Sequence, residues 1–366
     1  MDQPLTTIVV VPRERFGFAI KSLESLFENT EPPFHLVYVD AGSPNHIKRR
    51  LVQWAERRDF TLVRCEKYLT PNQARNVALE FVDSKFIAFT DNDVVYAAKW
   101  LSALERCAEE TGADIVVPLT CIGEPYHSTV HQAGAGASIV EDNGKRLFRQ
   151  SLHKFADLSV SQIRHQLFRE RTETGEFHTM FVRTSVFDDC GKLDENNMSN
   201  LEHVDLCMTV RSKGGEVIFE PNSVITYVPE RLRCRELPFF MLRWSDRWTR
   251  HTHEQFLQKW HAEEGKPHYT IVDFGRQYRG LGMPRMRKRA VDLFGWSIGT
   301  RIIVLVESGL AMWANLTFTG LGKPPKIKLV HAGNGFAKLS LPTKNLCQQC
   351  VEANHTAPRQ DVNAGN

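Results

Sequence analysis

The sequence predicts an α/β protein, a mostly parallel sheet with covering helices. Three observations carry this expectation. Short β-branched runs alternate with segments of helical periodicity through the first half of the chain. Turn formers punctuate them, among them Pro12, the run Asn29-Thr30-Glu31-Pro32-Pro33, and Gly42. A length of 366 residues with 42% hydrophobic composition is enough for a full core, which excludes a disordered or fibrous chain. The formal net charge of +3 is far from the basic field of a dedicated nucleic-acid binder, so no nucleic-acid partner is expected.

Each element follows from its pattern. Residues 7–11 are a β-branched strand stopped by Pro12. Residues 18–27 set Phe18, Ile20, Leu23, Leu26 and Phe27 at helical intervals. Residues 34–39 form a second strand that delivers Asp40, Ala41 and Gly42 to a turn. A charged amphipathic helix over 46–57 and a short strand over 61–64 come next. Residues 72–81 carry Ala74, Val77, Ala78 and Phe81 on one helical face just after Pro71, a residue well tolerated at a helix start. The strand over 86–90 runs straight into Asp91-Asn92-Asp93. A helix over 100–110 and a strand over 114–118 follow. From 121 to about 175 the pattern loosens into an insertion across the sheet rim, with Gly134, Gly136 and Gly144 and a basic, histidine-bearing stretch. Strand character resumes over 177–183. Residues 200–213 are helical and capped by Gly214-Gly215, and strands are expected over 216–219 and 223–228. These elements make one domain over 1–229. Beyond Pro229 the strand signal fades: helices over 237–260 and 296–318, joined by a Gly-, Arg- and Tyr-rich connection, predict a helical appendage over 230–342. The polar tail, 343–366, is expected to be disordered.

Ligand sites of open α/β sheets lie at the carboxyl ends of the strands, where both Asp40 and the Asp91 to Asp93 triplet fall. Two aspartates separated by one residue offer oxygen ligands suited to magnesium or manganese. A divalent cation so held neutralises the charge of a departing diphosphate. Asp and Asn are also common turn residues, so the triplet gains meaning only from its place at a strand end.

Taken as an ordered set, several motifs resemble the family 2 glycosyltransferases, inverting enzymes of the GT-A fold that use nucleotide-sugars. They are Ile8-Val9-Val10-Val11-Pro12 with Ser22-Leu23-Glu24-Ser25-Leu26, then Tyr38-Val39-Asp40-Ala41-Gly42-Ser43, Asn72-Gln73-Ala74-Arg75-Asn76 and the strand ending in Asp91-Asn92-Asp93. Arg183 through Leu193-Asp194-Glu195, Glu202-His203-Val204-Asp205-Leu206, and Gly214-Gly215 through Glu220-Pro221 continue the order. The resemblance covers roughly residues 5–229. It implies a GT-A-type nucleotide-sugar-binding fold, a Rossmann-like mixed sheet flanked by helices. It also implies a nucleotide-sugar donor, commonly a UDP-sugar, with a manganese or magnesium cofactor and a glycan or lipid-linked glycan acceptor. Asp40 would then bond the base. Asp91 would contact the ribose and help hold the metal, and Asp93 would be its principal ligand. Pro12, Arg75, Asn76 and Asn92 would line the nucleotide. As plain structure, Asp40 would cap a turn and Arg75 would form a surface ion pair.

Inversion needs a base for the acceptor hydroxyl. In the family a Glu-Asp pair begins a helix under the acceptor and its second member is commonly that base; here the position is His203. Glu202, His203 and Asp205 stay open, with Glu202 slightly favoured. The histidine that many relatives carry after the Gly-Gly turn is also missing, since residues 223–228 read Ser-Val-Ile-Thr-Tyr-Val. His127, His131 and His178 are candidates to complete the metal shell. Other classes would be a nucleotidyltransferase, for which residues 12–18 lack the glycine-rich loop, or a non-catalytic glycan-binding relative.

The polar start of the chain carries no signal-peptide pattern, which makes the cytoplasm the expected location. Residues 296–318 are apolar but include Arg301, Glu307 and Asn315, and read as a buried or interfacial helix rather than a span. The preceding basic residues Arg276, Arg279, Arg285, Arg287, Lys288 and Arg289 resemble a peripheral contact with anionic lipid, with a solvated loop as the alternative. In 242–248, Trp244 and Trp248 stand with Arg243 and Arg247 either as an acceptor-channel lining or as core anchors. Cys347 and Cys350 form a lone CxxC, read as free thiols.

Overall fold

The computed structural model describes residues 4–151, 153–264, 271–319 and 326–333. The expected disordered tail and the CxxC lie outside them. The first third runs β1 (Thr6–Val11), α1 (Ala19–Asn29), β2 (His35–Ala41), α2 (Asn45–Arg58), β3 (Thr61–Cys65), α3 (Pro71–Leu79), β4 (Phe86–Asp91), β5 (Val94–Tyr96), α4 (Trp100–Thr111) and β6 (Ile115–Ile122). The segment expected as an insertion holds β7 (Val130–Gln132), β8 (Ala137–Asp142), β9 (Lys145–Gln150), α5 (Val160–Ile163) and β10 (Glu170–Arg171). Then come β11 (Thr179–Arg183), α6 (Val186–Cys190), α7 (Glu202–Ser212), β12 (Val217–Tyr227), α8 (Leu237–Arg243), α9 (Asp246–Lys259), β13 (Glu263–Glu264), α10 (Ile271–Gly280), α11 (Pro284–Ala314) and β14 (Ile327–His331).

The main sheet has the order β10-β12-β6-β11-β4-β1-β2-β3-β14, with β5 on β12 and β7 on β6. Its centre is parallel: β1 pairs with β2 and β4, and β2 with β3. β11 runs antiparallel between β4 and β6. Helices cover both faces, so the central strands read as unbroken apolar runs. Because successive side chains alternate, Ile8 and Val10 join one core while Val9 and Val11 join the other. Leu36 and Tyr38 against Val37 and Val39 repeat the division, as do Phe86 and Ala88 against Ile87 and Phe89.

Five features differ from the sequence expectation. The helix expected over 237–260 is two, broken at Trp244, with Ser245 capping α9 by accepting from the Trp248 amide. The connection before residue 296 is helical, as α10 and the start of α11. α11 itself is interrupted at Gly295, whose φ of 74° no helix accommodates. Two strands, β13 and β14, lie where only helices were expected; β14 pairs antiparallel with β3 and β13 adds to the β8–β9 hairpin. The strands expected over 216–219 and 223–228 are one, β12, with an irregular register between Glu220 and Val224.

The last helix is held by charge at its buried face. Glu307, almost fully buried, lies 3.4 Å from Arg279 and 3.2 Å from Arg287, and Arg279 also bonds Asp246 at 2.7 Å. The opposite face of α11 is open: Leu293, Phe294, Trp296, Ile298, Leu305 and Met312 are all exposed. The helical run from Pro284 to Thr317 is long and apolar enough to cross a membrane by length and composition, which the sequence reading did not expect of it, and it is buried along one face only, at Ile303, Glu307, Ala311 and Ala314.

Candidate functional site

Since β1, β2 and β4 run parallel, their carboxyl ends share a rim. Val11 pairs with Asp91 across that rim. It presents Arg13, Glu14 and Arg15 after β1, Asp40 and Ser43 after β2, and Asp91 to Asp93 after β4. β11 is antiparallel to β4, so the residue just before it, His178, reaches the same rim from the opposite chain direction. Thr90 fastens this junction, donating to the His178 carbonyl at 2.9 Å. α7 brings Glu202 directly after Leu201, which holds a left-handed φ of 63°. A bulky residue there stores strain of about 1–3 kcal/mol, typical of functional positions.

Asp91 and Asp93 are completely buried, and none of their four carboxylate oxygens makes a hydrogen bond; nor does His178 Nδ1. Buried polar atoms are normally paired, so five orphans together call for a missing partner. His178 Nδ1 is 3.1 Å from Asp91 Oδ2, and ligand atoms of Asp91, Asp93 and His178 all lie within 4.8 Å of one another. Two carboxylates and one imidazole suit manganese or magnesium, and the residues present fit such an ion.

Arginines surround the pair. Arg13 lies 3.4 Å from Asp91, Arg15 3.6 Å from Asp93, and Arg75 3.7 Å from Asp91. Burial disfavours ionisation of Asp91, but Arg13, His178 and Arg75 overcome it and hold its pKa below the usual range. For Asp93 burial and the neighbouring Asp91 prevail, and its pKa is raised. His178 is desolvated, yet Glu176 and Asp91 raise it to about 9. Arg75 is fully buried with its guanidinium 3.6 Å from the Phe177 ring centroid, and desolvation lowers it to about 10. The surface ion pair considered for Arg75 is therefore absent.

The other sequence candidates are placed as follows. Asp40 accepts from Arg64 at 2.5 Å and from the Ser43 hydroxyl and amide at 2.8 and 3.2 Å, a turn-closing set. Asn76 is spent on the loop before α7: it donates to the Leu193 carbonyl and Glu195 and accepts from the Leu193 amide. Asn92 accepts from the Arg13 amide at 2.7 Å and so fixes the chain leaving Pro12. Asp205 accepts from Lys259 at 2.7 Å and Trp260 at 2.9 Å, which commits both its oxygens. Glu202 is buried with Oε2 unbonded and Oε1 3.7 Å from Arg243. Burial lowers the pKa of His203. His127 bonds Thr226 and belongs to neither cluster of metal-ligating side chains. Trp248 is a core anchor, while Trp244 donates to Glu14 and stacks on Tyr278.

Sequence reasoning missed Arg13, Glu14, Arg15 and Glu176. The first three stand directly after the central strand, and that position was a signal. Glu176 had none. The place of the missing histidine is explained by Tyr227, which stacks on His178 with ring centroids 4.0 Å apart. A groove of about 740 Å³ lined by Gly134, Lys154, Arg171 and Gly215 opens beside Val217, at the opposite end of the strands from Asp91.

Residues 7–184 match the family described as Glycosyl transferase family 2. Over 96 residues the chain is 34% identical to the succinoglycan biosynthesis protein ExoW of Rhizobium meliloti (strain 1021), a stretch of 25% of this chain and 30% of that one. The match therefore spans under a third of that relative. Similar solved structures include GalNAc-T7 with UDP, GalNAc and Mn2+ (TM-score 0.49, 14% identity, 81% of this chain and 59% of that one). Another is the mannosyltransferase PcManGT from Pyrobaculum calidifontis with GDP-Man and Mn2+ (TM-score 0.48, 12% identity, 88% and 89%). S. aureus TarS 1-349 with UDP-GlcNAc is a third (TM-score 0.46, 15% identity, 86% and 80%). Residues 7–184, the α/β segment that carries the acidic rim, are thus the part of the chain that matches glycosyl transferase family 2.

Proposed function

We propose that the protein is a metal-dependent inverting glycosyltransferase, moving a sugar from a nucleotide-sugar, a UDP-sugar by preference, to a hydroxyl of a glycan or lipid-linked glycan. The observation that carries this reading is the set of five unbonded buried atoms on Asp91, Asp93 and His178. These residues would hold manganese or magnesium, which when bound supplies Lewis-acid neutralisation of the diphosphate. Arg13 and Arg15, now turned to the carboxylates, are within reach of the same diphosphate charge. Asp40 stands at the end of β2 for the base, already oriented by Arg64 and Ser43. Pro12, Arg75 and Asn92 wall the nucleotide side, and Asn76 supports that wall from behind.

Glu202 is the base. It takes the proton of the acceptor hydroxyl as that oxygen bonds to the anomeric carbon, and the nucleoside diphosphate leaves from the opposite face. Arg243, shared between Glu14 and Glu202, positions it. Asp205 positions α9 through Lys259 and Trp260, and His203 flanks the base.

The Glu202→Gln variant is expected to lose transfer by a factor of about 10²–10⁴ while still binding donor. Asp93→Asn is expected to lose manganese-dependent donor binding. Full activity of the first, or unchanged manganese dependence of the second, refutes the respective role. A panel of nucleotide-sugars titrated with and without manganese identifies the donor.

The open face of α11, with Arg285, Lys288 and Arg289 exposed at its start, supports peripheral contact with an anionic membrane at its cytoplasmic face, where a lipid-linked acceptor would lie. Flotation with vesicles containing anionic lipid is expected, and the triple charge reversal of those three residues should abolish it. Equal flotation with neutral vesicles alone would remove the basic residues from this reading.

A further inference from the structure

Next to the acidic pair, on the side of the β7–β10 segment, three imidazoles surround one carboxylate. β7 supplies His131, the chain after β9 supplies His153, and the segment entering β11 supplies Glu176 and His178. His131 Nε2 lies 2.9 Å from Glu176 Oε2, His178 Nε2 lies 3.2 Å from the same oxygen, and His153 Nε2 lies 3.6 Å from Oε1. A tetrahedral zinc ion with bonds of about 2.1 Å sets its ligand atoms about 3.4 Å apart. The three separations from Glu176 bracket that length. His131, Glu176 and His178 each bring a ligand atom within 4.8 Å of the others.

The tautomers are suited to it as well. His153 Nδ1 is 3.2 Å from the His131 carbonyl oxygen, to which only an N–H can donate, so its Nε2 keeps the lone pair. The side chains of His131, His153 and Glu176 are about one-fifth exposed, which gives an ion an entry path. Three nitrogens and one carboxylate are a donor set for zinc or another borderline cation, unlike the oxygen-rich Asp91 and Asp93 pair.

His178 belongs to both clusters through different nitrogens. A neutral imidazole has one lone pair and one N–H. When Nδ1 ligates an ion beside Asp91 and Asp93, Nε2 carries the proton and donates to Glu176. When Nε2 ligates an ion beside Glu176, the proton sits on Nδ1 and is donated to Asp91, which takes His178 out of the other shell.

We propose that His131, Glu176 and His178, with His153 as fourth ligand, form a zinc site that antagonises manganese at Asp91 and Asp93 by competing for the single lone pair of His178. The site itself stands apart from the proposed function; its antagonism rests on that reading. Binding is reciprocal, so zinc weakens manganese by the same factor that manganese weakens zinc.

The test titrates the full chain, freed of metal, with zinc chloride and manganese chloride by calorimetry. The Asp93→Asn variant is expected to bind one zinc per chain, and adding His131→Gln with His153→Gln should weaken that zinc at least tenfold. In the otherwise native chain, saturating zinc should weaken manganese by more than about fivefold, and the two histidine changes should reduce that effect. Retained manganese binding by the histidine variant shows that it is folded; His153→Gln alone, on a partly exposed side chain, provides the milder second variant. No zinc on Asp93→Asn, or zinc binding indifferent to both histidines, overturns the site. Zinc competition equal in native and histidine-variant chains overturns the antagonism. Absence of manganese binding in the native chain would instead refute the metal assignment of the proposed function, leaving the zinc titration of Asp93→Asn intact.

Discussion

Glu14 lies at the centre of the rim's charge balance. It is buried under Arg243 and Trp244, with Arg13 and Arg15 beside it. Burial opposes its ionisation, yet Arg243 and then Arg13 and Arg15 outweigh burial and hold its pKa at about 2, against an ordinary 4.5. A carboxylate with a depressed folded pKa stabilises the fold fully above its unfolded pKa and loses that contribution as pH falls through the folded value. The window is therefore about pH 4.5 down to 2, and the shift corresponds to roughly 3 kcal/mol. Urea unfolding of native and Glu14→Gln chains should differ most above pH 5 and converge toward pH 2; a difference independent of pH would exclude the charge as its source. None of this was read from the sequence, although Glu14 follows the first strand immediately. Asp40, Asp91 and Asp93 were legible because a strand followed by an acidic turn is a local pattern. His178 was legible only as one of three histidines, because its arrival at the rim depends on β11 running antiparallel to β4, a non-local fact.

α3 shows what the sequence specifies at the scale of an element. Thr70 accepts from the Gln73 amide, the Gln73 side chain accepts from the Thr70 amide, and Pro71 occupies the first turn. The helix was expected from Pro71 and the spacing of Ala74, Val77 and Ala78, and it forms there. Thr70→Ala is expected to cost about 1 kcal/mol in denaturant unfolding; a loss below a few tenths would show that packing alone sets this helix start. The β8–β9 hairpin was equally local but went unread: Asn143 and Gly144 both take positive φ, 51° and 74°, as the favoured two-residue hairpin turn requires. β13 and β14 had no such cue. They are short, and their strand state comes from partners more than a hundred residues distant in sequence. The break between α8 and α9 was hidden because Ser245 reads as a tolerable helical residue until its capping bond is seen.

On the scale of the whole molecule, composition and alternation were enough for the α/β class and for one acidic rim, since both follow from parallel strands buried on two faces. The C-terminal segment was less legible, because its apolar anchors on the sheet domain, Phe239, Leu242, Trp248 and Phe256, are joined by buried ion pairs between residues far apart in sequence. Arg243 joins it to Glu14, and Glu307 holds α11 through Arg279 and Arg287. The last described strand has a further consequence. β14 occupies the outer side of β3, and Cys65, Arg64, Val63 and Leu62 take their register from it. Without it, β3 would offer a row of unpaired amides and carbonyls, the template on which strands of other molecules add. A chain ending at residue 319 is expected to associate in a concentration-dependent way by light scattering while the full chain does not. A truncated chain that stays monomeric throughout would show that the β3 edge is protected by other means. By this reasoning the five residues of β14 guard the solubility of the finished chain, whereas during synthesis β3 emerges long before its cover and its edge stays open until β14 follows.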